Sequence, residues 1–168
     1  MTLFPSAAIL VVISVSALAQ NTSTNADCVI ATKIWPVVFP PNVNCCDTAN
    51  INCNGAKYSK PATDADDCYI KCNSNGSIDT IKLANSALQP GPIPDFSQLT
   101  GLTHLYLPNN RFTGVIGSFP VNLIIFYAGD NQLTGVIPSF PNKLTYFDVG
   151  SNKLSGPIPP FSESFIVL

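Results

Sequence analysis

Apolar residues recur every 21 positions through the second half of the chain. Three segments, which open at Leu102, Leu123 and Leu144, align without a gap. In each segment apolar residues follow three and five positions after the first, Asn follows eight positions after it, and Gly and Ile follow twelve and fourteen positions after it. A looser copy opens at Ile78, 24 residues before Leu102. A fixed period of this length predicts a solenoid of stacked repeats, here about four.

Each repeat position has a physical role. The apolar step of two residues is typical of a short strand with one buried face. The Asn that follows marks the turn after the strand, where its amide can bond the backbone of neighbouring coils. We therefore expect a ladder formed by Asn110, Asn131 and Asn152.

Three stretches carry a family resemblance: LTHLYLPNNRFTGVI, LIIFYAGDNQLTGVIP and LTYFDVGSNKLSGPIP. They resemble the leucine-rich repeats of plant-type extracellular proteins, written L-x-x-L-x-L-x-x-N-x-L-x-G-x-I-P. The resemblance covers residues 78–161, with Gly117 in place of the Pro in the second copy. It implies a leucine-rich-repeat solenoid, which is a right-handed superhelix of the β/α type with mostly short parallel strands joined by loops and 3-10 turns. It also implies a role similar to that of receptor ectodomains or polygalacturonase inhibitors. Those relatives carry more repeats than this chain.

The region before the repeats resembles the N-terminal cap of the same family. The matching pieces are Asp27-Cys28, Trp35, Cys45-Cys46 and Ile70-Lys71-Cys72. A cap shields the apolar end of the first coil from water. An even number of cysteines clustered here predicts disulfides, and the set comprises Cys28, Cys45, Cys46, Cys53, Cys68 and Cys72. The resemblance implies the pair Cys28–Cys45 and leaves the other four cysteines unassigned.

Metal binding is the weaker alternative for this region. The cysteines offer no C-x-x-C pair and no nearby His, which zinc sites of this kind usually have. Asp64, Asp66 and Asp67 lie in an insertion and could suggest calcium, although a solvated acidic loop is the favoured interpretation. We expect no metal and no cofactor.

The chain is predicted to have four parts: a signal peptide (1–19), a cysteine-rich cap (20–77), the repeats (78–161) and a tail without a cysteine cap (162–168). The apolar run near the start ends in Ala-Leu-Ala, which is typical of a signal peptide. A membrane anchor is the alternative, but the run is short for a span. Glycosylation sequons at Asn21 and Asn75 agree with a secreted protein, at the cell surface or in the wall. We expect no stable membrane insertion.

Stacked repeats present the non-core residues of their strands on one curved surface, here called the concave face. It is predicted to carry two rows, Thr80, His104, Ile125 and Tyr146, and Lys82, Tyr106, Tyr127 and Asp148. A third row, Asn85, Asn109, Asp130 and Ser151, lies near the strand ends. Seven of these side chains are the predicted ligand contacts: Lys82, His104, Tyr106, Ile125, Tyr127, Tyr146 and Asp148. Tyrosines can also tile a sheet without binding anything.

The function that these features favour is extracellular recognition of a protein or a wall carbohydrate. Four strands give a face only about 15 Å wide, so binding by one copy should be weak. A net charge of −2, with 11% charged residues, argues against nucleic-acid binding. Catalysis is not expected, because His104 lacks an activated serine and the pair Asp130 and Asp148 would lie on an open, wet surface.

Two alternatives remain open from the sequence. The first is a structural protein that associates with itself through its C-terminal end, near Phe165. The second is a truncated receptor ectodomain, or a fragment that has lost its function.

Overall fold

The computed structural model describes residues 25–39, 41, 44–46, 68–86 and 90–161. The predicted signal peptide, Asn21, Cys53, the acidic loop at Asp64 and the tail 162–168 therefore lie outside the described residues. The described part contains one helix, α1 (Ala26–Ile34), and eight strands: β1 (Cys68–Cys72), β2 (Ile78–Leu83), β3 (His104–Tyr106), β4 (Thr113–Gly114), β5 (Ile125–Tyr127), β6 (Gln132–Gly135), β7 (Tyr146–Asp148) and β8 (Lys153–Leu154).

The strands form two sheets on different sides of each coil. A five-stranded sheet has the order β1-β2-β3-β5-β7, and a three-stranded sheet has the order β4-β6-β8. Strands β2, β3, β5 and β7 pair in parallel, and equivalent residues of the repeat, such as Leu105 and Phe126, are direct partners. The predicted solenoid of short parallel strands is confirmed over about three turns, and each of the four repeats contributes one strand to the five-stranded sheet.

Apolar side chains from successive coils stack to form one continuous core. Leu102, Leu123 and Leu144, which open the three regular repeats, are each 0% exposed. Phenylalanines form a second stack, in which Phe119 lies 5.1 Å from Phe126 between ring centroids. Each leucine buried in this way contributes about 1.5–3 kcal/mol, and it does so only because a neighbouring coil covers it.

The Asn of each repeat bonds the backbone of two coils. Asn131 donates from Nδ2 to the carbonyl of Leu107 in the preceding coil at 2.9 Å, and to two carbonyls of its own turn at 3.1 Å. Its Oδ1 accepts from the N–H of Phe112, again in the preceding coil, at 3.0 Å. Asn152 makes the equivalent bonds. Asn110 donates to the carbonyl of Leu83 in the same way, but its Oδ1 accepts from the N–H of Ser86, which lies two positions earlier in its coil. The side chain thus satisfies turn groups that no strand ladder reaches.

The residues of the third predicted row adopt an unusual backbone conformation. Asn85, Asn109, Asp130 and Ser151 all have φ between 47° and 53°. Asn and Asp tolerate this left-handed region better than other side chains, because they can bond locally. The repeated twist turns the chain off each strand and places the Asn of the ladder in the interior.

The cap closes the first coil with disulfides, a strand and an aromatic contact. Cys28 pairs with Cys45, as the resemblance implies, and Cys46 pairs with Cys72; Cys68 is also disulfide-bonded. Strand β1 adds to β2 in antiparallel orientation. The ring of Trp35 packs on Phe96 and Phe112, at centroid distances of 5.7 and 5.8 Å.

Helix α1 is fixed to the first repeat by its N-terminal turn. The Asn25 side chain caps the helix by accepting from the N–H groups of Asp27 and Cys28. The Asp27 carboxylate accepts from the N–H of Ile78, the first residue of β2, at 2.9 Å. The helix therefore satisfies a backbone donor of the repeat sheet as well as covering its apolar edge.

We predict that Asn131→Ala lowers the free energy of unfolding by about 3 kcal/mol, because three carbonyls and the Phe112 N–H lose their partner in the interior. Asn142→Ala is the matched control, since Asn142 is exposed and should change the stability by less than about 0.5 kcal/mol. Urea unfolding followed by circular dichroism measures both. Equal effects of the two substitutions would contradict the role of the ladder.

Candidate functional site

The concave face is a set of side chains held in register by strand pairing. Successive strands place Thr80, His104, Ile125 and Tyr146 opposite one another, and Lys82, Tyr106, Tyr127 and Asp148 opposite one another. The structure thus brings all seven predicted ligand contacts together on one face. Strand β1 extends both rows, because Lys71 lies opposite Thr80 and Tyr69 lies opposite Lys82. Five strands make the face about 19 Å wide, rather than the 15 Å expected from four.

Thr80 lies in the predicted row beside His104, but the expectation that it forms part of the exposed surface is wrong. The side chain of Thr80 is only 7% exposed. It is small, and its neighbours in the sheet are Lys71 on one side and His104 on the other. The longer side chains of the flanking strands leave it almost no contact with solvent.

Aromatic side chains occupy the middle of the face. His104 stacks on Tyr106, with centroids 6.3 Å apart and planes at 24°. Tyr127 meets Tyr146 edge to face at 6.3 Å. Tyr106 and Tyr127 are direct partners across strands β3 and β5. The two pairs therefore form one patch of half-buried rings, each with a polar group that can bond a ligand.

Gly129 allows the Tyr127 ring to lie close to the sheet. A Cβ atom at Gly129 would come within 3.0 Å of the Tyr127 ring. Any larger residue there would push the ring away from its present position. This contribution could not be predicted from the sequence, because a single Gly after a strand carries no signal that a ring will cover it.

The Thr103 hydroxyl orients the His104 ring. It lies 2.9 Å from the carbonyl of Asp79 and 2.7 Å from His104 Nδ1, and it can donate its one proton to only one of them. The other ring nitrogen, Nε2, is an acceptor when the hydroxyl donates to Asp79 and a donor when the hydroxyl donates to Nδ1. Burial lowers the pKa of His104, Asp79 opposes this effect and Lys71 adds to it. Near neutral pH the face thus presents an uncharged imidazole at this position.

Tyr127 lies next to two acidic groups. Burial raises the pKa of Tyr127, and Asp148, Tyr146 and Asp130 raise it further. Its phenol therefore stays protonated and can donate. The Asp148 carboxylate accepts from the N–H of Gly150 at 2.8 Å, which holds it at the end of β7.

Within the described residues, the side chains considered for catalysis or metal binding have other partners. The hydrogen bond of the His104 ring is to Thr103 and not to a carboxylate, so a triad of the Ser-His-Asp type is not assembled around it. The Sγ atoms of Cys28, Cys45 and Cys46 lie within 4.8 Å of one another, but each is part of a disulfide and is not a thiolate that could hold a metal. Within the described ranges, no helix is long and apolar enough to cross a membrane.

A known family of repeats matches part of the repeat region. The Leucine Rich Repeat family model matches residues 101–123 and 143–165, less than half of the chain. A search of curated proteins found no match. Among solved structures, the crystal structure of a pollen receptor kinase 3 is similar at 24% identity and a TM-score of 0.49, over 69% of this chain and 66% of that chain. The match therefore spans just under two thirds of the receptor-kinase chain. These values are too low to transfer that protein's role.

We predict that the protein loses stability as the pH falls below about 6.5, the usual pKa of His. Burial lowers the pKa of His104 in the folded state, so the unfolded chain binds a proton more readily and folding is opposed. The contribution is fully present above that pH and declines toward the lowered pKa of the folded state. Urea unfolding from about pH 8 to pH 5 measures it.

The control is His104→Gln, which removes the only His in the sequence. This variant should show a shallower pH dependence of unfolding over the same interval. Parallel pH profiles for the two proteins would contradict the assignment to His104.

Proposed function

We propose that this protein is an extracellular recognition module that binds a partner protein through the concave face and performs no catalysis. The observation that carries the proposal is the contiguous patch of His104, Tyr106, Tyr127 and Tyr146, held in register by the sheet. Tyrosine supplies a large contact area at a small entropic cost, since it has only two rotatable bonds to fix. A leucine-rich-repeat sheet provides the rigid support that such a patch needs.

The size of the face limits the affinity of one copy. A face about 19 Å wide offers a few hundred Å², less than the roughly 800 Å² per partner of a standard interface. Binding by a single copy should therefore be weak. Strong attachment would depend on several copies acting together.

An extracellular location is part of the proposal. The disulfides Cys28–Cys45 and Cys46–Cys72 favour an oxidising compartment. The predicted glycosylation site at Asn75 is exposed in the turn between β1 and β2, where a sugar chain would meet no buried surface. We therefore propose that Asn75 carries a glycan in the secreted protein.

We predict that Tyr106→Ala and Tyr127→Ala each weaken binding about tenfold, because they remove central aromatic contacts. The full chain, secreted by a eukaryotic host, is applied to arrays of extracellular proteins and wall polysaccharides, and bound ligands are titrated. Retention on polysaccharides alone would identify a carbohydrate ligand instead of a protein, since aromatic rings also stack on sugars.

Val121→Ser is the matched control, because Val121 is 63% exposed in the turn before Leu123 and away from the strand face. It should leave binding unchanged. If both tyrosine variants bind as the parent does, the concave face is not the binding surface.

Self-association is the second candidate function, and the incomplete burial of apolar side chains in the last coil supports it. Phe147 and Val149 are half-buried there, whereas the equivalent Phe126 and Ala128 are buried in the preceding coil. A second copy could complete this cover. The predicted contact near Phe165 lies outside the described residues.

Sedimentation of the full chain at several concentrations tests the second candidate. A dimer that dissociates on dilution, and is lost in Ile158→Asp but retained in Val115→Asp, would support it, because both side chains are exposed and only Ile158 belongs to the last coil. A monomer at every concentration would exclude it.

A further inference from the structure

Charge is distributed unevenly along the concave face. Lys71 and Lys82 lie on β1 and β2, at the cap end of the sheet. Asp148 lies on β7 at the opposite end, and Asp130 follows β5. The middle strands carry uncharged aromatic and aliphatic side chains. Two positive groups therefore face two negative groups across the aromatic patch.

Contacts within the sheet support this placement. Lys82 Nζ lies 5.7 Å from the centroid of the Tyr69 ring, so the lysine extends along the face. Lys71 is exposed and Asp148 is held by the N–H of Gly150. Asp79 also lies at the cap end, but it alternates with Thr80 along β2, so its side chain leaves the strand on the opposite face of the sheet, and its Oδ1 is buried.

The spacing of the charges can be expressed as a length of peptide. Lys82 and Asp148 belong to one row, three strand spacings apart, which is about 14 Å. Lys71 and the edge strand β7 are four spacings apart, or about 19 Å. An extended peptide covers about 3.3 Å per residue, so the two distances correspond to roughly four to six residues.

We infer that the partner contributes an extended peptide segment that lies across the strands, with an acidic residue over Lys71 and Lys82 and a basic residue four to six positions away over Asp130 and Asp148. Apolar or aromatic residues between them contact Tyr106 and Tyr127. An acidic polysaccharide fits less well, because its charges have one sign and would be repelled at Asp148. The inference rests on the proposed function and adds the chemical class of the ligand.

The probe is a phage-displayed library of random peptides of about twelve residues, long enough to cover the face in extended form. It is selected on the full chain, and phages that also bind Tyr127→Ala are discarded. The expected result is enrichment of peptides with one acidic and one basic residue four to six positions apart. Enriched peptides without this pattern would overturn the inference and leave recognition through the concave face intact.

Charge variants give the second measurement. Lys71→Glu should weaken an enriched peptide about two- to fivefold, the effect of one exposed charge pair. Replacing the acidic residue of the peptide with Lys should restore part of this loss in Lys71→Glu and weaken binding to the parent, because Lys82 remains positive. Asp148→Asn should weaken the same peptide comparably, while its amide oxygen can still accept from Gly150 N–H. Restoration by the swapped peptide distinguishes charge pairing from damage to the fold. Equal binding by parent and charge variants would overturn the inference.

Two further outcomes separate this inference from the function on which it rests. Retention on polysaccharides through Tyr127, without peptide enrichment, overturns the peptide class but leaves the concave face as the binding surface. Binding that is insensitive to both Tyr127→Ala and the charge variants overturns the proposed function together with the inference.

Discussion

The fold depends on the interaction between one coil and the coil before it. Each turn leaves carbonyl and N–H groups that its own strand cannot satisfy, and the Asn of the following coil reaches back to bond them, as Asn131 does with Leu107 and Phe112. The close packing of the two coils also buries the leucines of both. Because polar and apolar groups are satisfied by one neighbour, a coil is stable only within the stack, and any shift of register breaks both sets of contacts. The alignment of side chains on the concave face follows from this constraint.

Much of this arrangement could be predicted from the sequence, because a strict 21-residue period without insertion requires coils of one shape. Equivalent residues must then be partners, and His104, Ile125 and Tyr146 are opposite one another as expected. The first repeat is longer and its spacing differs, yet Ile81 still pairs with Leu105. The burial of Ile81 and Leu105 fixes the register between the first two repeats, where the spacing of 24 residues departs from the period of 21.

The remainder depends on contacts that the repeat does not encode. Strand β1 joins the sheet in antiparallel orientation, and its pairing with β2 crosses from the cap to the repeats. The alternation in Cys68, Tyr69 and Ile70 carried a strand signal, but nothing in it specified a partner. The low exposure of Thr80 follows from that unforeseen neighbour. The left-handed conformation at Asn109 and Asp130 agrees with their residue type. Ser151 has the same conformation because it occupies the equivalent position of a coil with the same backbone path.

A short solenoid combines a rigid surface with a small one. The rings on the face are positioned before a ligand arrives, since each is attached to a strand whose neighbours fix its direction and Gly129 leaves room for Tyr127. Preorganisation reduces the entropy lost on binding, but it cannot compensate fully for an area below that of a standard interface. Specificity must then come from where the polar groups lie within the patch, such as the imidazole of His104 and the carboxylate of Asp148. A face of this kind selects its ligand by the positions of its polar groups, and its attachment becomes strong when several copies of the protein bind together.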